Sequence, residues 1–194
     1  MEEVSSDLLL VLSRPPEGFP TRRAGTVGMC ALYSLKALIE GKYPERTIPV
    51  SAYAQDIFSK ISGFMLPFSL LRVLRKYHIS YEVFSGRGFP VAQKLEILKR
   101  RLAKGPILLL IGNAYGSGKR PTRVRALHHR HYITLWGYDE KKQIFFIYDS
   151  NTKKRVLPDM PIGNTYLTYR QLIRYWSIGA TWMMRFFGVN VFYK

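Results

Sequence analysis

Apolar residues along this chain recur with two different periods, and the places where the period changes divide it into helices and strands. Between Cys30 and Glu40 the residues Ala31, Leu32, Leu35, Leu38 and Ile39 keep to helical spacing, which sets one stripe against a core, and Gly41 is the expected stop. Ser51 to Ile61 reads as a second helix, with Ser51 as N-cap and Ala54, Ile57, Phe58 and Ile61 on one face. A third helix is expected from Pro67 to Tyr77, followed by a short alternating strand from Ser80 to Phe84. Val91, Leu95, Leu98 and Leu102 then return to helical spacing and leave Lys94, Lys99 and Arg101 for the solvent side.

The run Ile107-Leu108-Leu109-Leu110-Ile111, bounded by Gly105 and Gly112, is continuously apolar and suits a strand covered on both faces. His131 to Tyr138 and Gln143 to Tyr148 are aromatic and β-branched, and the polar turn Asp139-Glu140-Lys141-Lys142 between them makes a hairpin. A helix near Thr168 to Trp176 and a strand near Val189 to Tyr193 complete the pattern. Residues 1–25, punctuated by Pro15, Pro16 and Pro20, read as a lead-in arm, and residues 26–194 as one α+β domain with N-terminal helices packed on a central antiparallel sheet.

Composition fits that domain: 194 residues, 47% of them hydrophobic and 14% aromatic, are enough for a real core and far from a disordered chain. Charge changes the picture more. Thirty Lys and Arg against 13 Asp and Glu give a net +17, which attracts acidic partners or nucleic acid at low salt. Arg87 to Arg130 alone holds eleven of these cations and one acid, Glu96, and its loop from Asn113 to Arg130 contributes Lys119, Arg120, Arg123, Arg125 and Arg130 with no acid. The N-terminus is acidic, Leu8 to Leu12 is too short for a signal sequence, and the apolar C-terminal segment is interrupted by Arg185. A cytoplasmic protein without a membrane span is therefore expected.

One cysteine excludes an intramolecular disulfide framework and any zinc site built on several thiolates. His128, His129 and His131 lie close together, but Arg130 sits among them and no carboxylate or second thiol is near, so no metal is expected. Gly112 to Lys119 does not make a phosphate loop, because Asn113 stands where its first glycine belongs and Arg120 follows the lysine. No cofactor is implied.

What remains is thiol chemistry. Cys30 falls in the first turn of its helix, where unpaired N–H groups and the helix dipole favour a thiolate. His131 opens one strand of the hairpin and Asp149 follows its partner, so pairing brings an imidazole and a carboxylate together, with Asn151 as the alternative orienting residue.

Gly28-Met29-Cys30-Ala31-Leu32 at a helix start, then His131-Tyr132-Ile133-Thr134-Leu135-Trp136-Gly137-Tyr138 leading to Ile147-Tyr148-Asp149-Ser150-Asn151, resembles the papain-like cysteine peptidases. The branch it is most similar to is that of the double-glycine leader peptidases of bacteriocin exporters. The resemblance runs from about residue 24 onward and implies a papain-like fold, a Cys30–His131–Asp149 triad and a peptide or protein substrate. The pattern departs from the family at Ala24, where an oxyanion-hole glutamine is usual, and at Ala31, where a glycine is usual. The Cys30 N–H, with Thr26 or Arg23, is then the expected donor set, and losing one such donor costs roughly 10²–10³ in rate. Two further readings follow. One is a catalytically silent module that binds nucleic acid or an acidic protein through its basic face; the other is an acyltransferase or deamidase using the same triad.

Overall fold

In the computed structural model, residues 8–10, 29–56, 60, 65–112, 130–152, 161–177 and 185–192 are described. In chain order the elements are β1 (Leu8–Leu10), α1 (Cys30–Lys42), a 3₁₀ turn (Val50–Tyr53), α2 (Pro67–Lys76), β2 (Ser80–Ser85), α3 (Val91–Leu102), β3 (Ile107–Gly112), β4 (Arg130–Asp139), β5 (Ile144–Tyr148), β6 (Thr165–Thr168), α4 (Tyr169–Trp176) and β7 (Phe187–Phe192).

The α+β class is as expected, with one antiparallel sheet at its centre. Its order is β2-β7-β3-β4-β5-β6, and every residue of β3, the most apolar strand, is buried. Side-chain alternation along the inner strands feeds two cores. Leu108, Leu110, Tyr132, Trp136, Phe146, Tyr148, Val189 and Val191 pack with Leu35, Leu38 and Ile39 of α1 and Leu70, Val73 and Leu74 of α2. Leu109, Ile111, Ile133, Leu135, Phe145 and Ile147 pack on the other side with Leu98 and Leu102 of α3 and Leu172 and Trp176 of α4. The helices thus cover both faces of the sheet. No described helix is long and apolar enough to cross a membrane.

Local chemistry explains several boundaries. Thr168 caps α4 by accepting the Gln171 N–H, while the Gln171 side chain accepts the Thr168 N–H, a reciprocal capping box. Gly105 has φ +151°, and a Cβ there would lie 2.0 Å from the Val191 carbonyl oxygen, so only glycine lets the chain enter β3 against β7.

Three expectations need correction. The segment 1–25 is not wholly a free arm: β1 pairs with β4, Leu8 opposite Asp139 and Leu10 opposite Gly137, extending the sheet where β3 has ended. The helix expected from Ser51 to Ile61 starts instead as a 3₁₀ turn, and Lys60 is helical, its N–H bonded to the Asp56 carbonyl at 3.0 Å. Tyr53 is fully buried, Ala54 is extended, and no side chain caps the turn, so the first part of the helical spacing is interrupted there. Residues 57–59 and 61, which carried the rest of that pattern, lie outside the described residues.

Lys94, Lys99 and Arg101 do not face solvent freely. Lys94 is buried, donates to the Phe89 carbonyl and lies 4.2 Å from the Phe186 ring centroid. Lys99 pairs with Glu96 and Glu140, and Arg101 pairs with Glu82 at 2.8 Å while covering the Phe84 ring. Long cationic stems here roof the second core, and three acids and two aromatic faces hold the charged ends.

Candidate active site

Two main-chain groups of one residue fix the start of α1 against the sheet. Cys30 is the first residue of the helix, and Ser34, one turn on, shares its face. Ser34 Oγ donates to the Tyr132 carbonyl at 3.2 Å, and the Cys30 sulfur accepts the Tyr132 N–H. The thiol is thereby delivered beside the residue that precedes Tyr132, which is His131.

The imidazole stands between the thiol and a carboxylate. Its Nε2 is 2.5 Å from Asp149 Oδ1, and both side chains are buried, His131 at 2% and Asp149 at 0% exposure. A hydrogen bond joins the ring to Cys30, and with Nε2 taken by Asp149, Nδ1 is the nitrogen left for the sulfur. Cys30 as a residue is only partly buried, whereas His131 and Asp149 are enclosed.

Electrostatics favour the charged pair. Burial alone would raise the Cys30 thiol, but the His131 hydrogen bond and charge, with the Tyr132 and Ala31 N–H groups, bring it below the ordinary thiol value. Burial alone would lower His131. The adjacent Asp149 charge and hydrogen bond, then Cys30, outweigh it and push the imidazole up to about 10. An imidazolium flanked by a carboxylate and a thiolate is the arrangement these opposing causes produce.

Asp149 is held from behind by a residue that the sequence reading did not single out. Its N–H donates to Asn164 Oδ1 at 2.9 Å, and Asn164 Nδ2 donates to its carbonyl at 2.8 Å. The Asn164 N–H in turn binds the Ile147 carbonyl at 2.9 Å. Just before it, Gly163 has φ +87°, and a Cβ there would lie 2.5 Å from the Ile147 carbonyl oxygen. A glycine followed by asparagine beside a strand end was the only available signal, and it is a common loop pair.

The hairpin brings His131 and Asp149 together, through a bulge that the sequence does not show. β4 and β5 pair Thr134 with Tyr148 and Leu135 with Ile147, but Gly137 with Phe146, so Trp136 is an extra residue in β4. β5 ends at Tyr148, and Asn151 lies in the turn that follows Asp149. Both residues reach the ring: Asn151 Nδ2 is 3.4 Å from each ring nitrogen, and its N–H donates to Asp149 Oδ1 at 2.7 Å. Among the described residues no donor reaches Asp149 Oδ2.

Cys30, His131, Asp149 and Asn151 are therefore brought together. Arg23, Thr26, Lys119, Arg120, Arg123, Arg125, His128 and His129 lie outside the described residues, as does the side chain of Arg130, whose backbone begins β4. Among the described residues no three His, Cys, Asp or Glu side chains group as a metal site. No protein-family model matches the chain, and no curated protein matches it either.

Proposed function

We propose that this chain is a papain-like cysteine hydrolase that cleaves peptide or amide bonds, with Cys30 as nucleophile, His131 as proton carrier and Asp149 as its orienting carboxylate. The observation that carries this reading is the single imidazole bonded to a buried carboxylate through Nε2 and to the Cys30 thiol on its other side. The resemblance to the double-glycine leader peptidases is compatible with the same order of residues, and the charge of +17 favours substrates carrying acidic groups.

The thiolate attacks the scissile carbonyl carbon, forming a carbon–sulfur bond and moving the carbonyl electron pair onto oxygen. The Cys30 N–H in the first turn of α1 is available to that oxyanion. Collapse breaks the carbon–nitrogen bond, and the departing amine takes the proton from His131 Nδ1. Water then attacks the thioester, returns a proton to Nδ1, and releases a carboxylic acid with the thiolate restored.

The direct test is the rate of Cys30 alkylation by a small haloacetamide as a function of pH. Rapid labelling well below pH 8 in the parent, lost in His131→Ala, is the expected result. Labelling that follows an ordinary thiol in both proteins would remove the nucleophile from the scheme. Hydrolysis of a fluorogenic peptide library, absent in Cys30→Ala, would then separate a peptidase from a transferase.

A further inference from the structure

Resting on that reading of the site, we propose that Asn151 is a positioning residue that caps the face of the His131 ring and fixes the plane in which the imidazole bridges Asp149 and Cys30.

Three observations support it. Asn151 lies in the turn after β5 that the Thr152 N–H closes on the Asp149 carbonyl, and this turn brings its side chain to the imidazole. Its amide nitrogen is 3.4 Å from Nδ1 and 3.4 Å from Nε2. A point equidistant from both nitrogens and lying in the ring plane at that range would collide with Cε1, the carbon between them. The amide therefore lies over the ring face, not along either nitrogen lone pair. Finally, the Asn151 N–H is bonded to the Asp149 oxygen that accepts from Nε2, so the cap and the acid share one frame.

This role differs from that of the carboxylate. Asp149 and Cys30 hold the two ring nitrogens, and the amide nitrogen over the face opposes tilting of the ring out of the plane that joins them. Which amide edge meets the ring is assigned by the surrounding bonds. Among the described residues the titratable side chains facing the ring are Cys30 and Asp149.

The experiment compares the pH dependence of Cys30 alkylation in the parent, Asn151→Ala, Asn151→Asp and His131→Ala. Asn151→Ala keeps the backbone N–H that binds Asp149 and removes the amide over the ring. Its labelling at pH 6 should fall about 3- to 10-fold, with the midpoint moving toward that of an ordinary thiol. Asn151→Asp retains a planar group of the same shape and should stay within about threefold of the parent.

If the parent is His131-dependent and Asn151→Ala follows the parent profile, the cap is refuted while the triad stands. If Asn151→Ala and Asn151→Asp lose labelling equally, shape over the ring is not what matters, and the proposal again fails. A parent that labels no faster than His131→Ala overturns both this inference and the proposed function, which keeps the two failures distinct.

Discussion

Replacing Asn164 by alanine tests whether the support behind Asp149 matters as much as its geometry implies. Two bonds vanish in this variant. The Asp149 N–H, now bonded at 2.9 Å, belongs to a residue with no solvent exposure, so it would be left buried and unpaired at a cost of roughly 1–3 kcal/mol. The Asp149 carbonyl is less affected, because the Thr152 N–H still reaches it at 3.1 Å; only a net bond of about 0.5–1.5 kcal/mol is lost there. The sum is roughly 2–4 kcal/mol. For a domain of this size each kcal/mol shifts the melting temperature by about 2–4 °C, so a fall of roughly 5–15 °C is expected. Denaturant unfolding followed by near-ultraviolet circular dichroism gives the free energy, and alkylation of Cys30 at pH 6 reports whether the carboxylate still holds the imidazole. A loss below about 0.5 kcal/mol with labelling at the parent rate would show that Asp149 is placed by something other than Asn164.

Three more outcomes follow from the same structure. Gly163→Ala should lose at least about 2 kcal/mol in the same unfolding assay, since a left-handed backbone costs a side chain roughly 1–2 kcal/mol and the new Cβ would also meet the Ile147 carbonyl. Thr168→Ala breaks the capping box at the far end of β5 and should cost about 1 kcal/mol while leaving the alkylation profile of Cys30 unchanged. His131 titrates near 6.5 when unfolded and near 10 in the fold, so its pairing stabilises the protein fully below about pH 6.5 and is lost as pH rises through about 10. With the opposing thiol removed, the stability gap between Cys30→Ser and Cys30→Ser/His131→Gln, measured by urea unfolding from pH 6 to 10, should therefore narrow with rising pH; a gap that widens would contradict the Asp149-held imidazolium.

Much of this fold is legible because its core is periodic. The stripe on α1, the continuous apolar β3, the β4–β5 hairpin and the amphipathic α3 and α4 each carry a pattern that burial then satisfies. The failures have separable causes. After Ser51 the helical spacing is interrupted where Tyr53 is buried and Ala54 is extended. On α3, the spacing leaves Lys94, Lys99 and Arg101 for solvent, whereas their aliphatic stems lie on the core and their ends meet Phe186, Glu140 and Glu82. β1 was invisible because three leucines near prolines say nothing about which strand edge is open to receive them.

The bulge at Trp136 shows most clearly why a correct pair of residues can be named for an incomplete reason. An antiparallel hairpin places directly opposed residues on one face, and a shift of one residue moves a side chain to the other. The register nearest the turn pairs Gly137 with Phe146; continued without interruption it would set Thr134 opposite Asp149, and His131 would then point away from the acid. The extra residue changes that parity. Beyond it Thr134 faces Tyr148, so His131 and Asp149, the residue just after β5, meet on the same side. Trp136 is fully buried and its Nε1–H donates to Thr134 Oγ1 at 2.8 Å, so the bulge is tied to the core and to the strand that carries the histidine. Proximity in a hairpin was readable from the turn, but the face on which the acid meets the base depends on one inserted tryptophan, which no local propensity at His131 or Asp149 encodes.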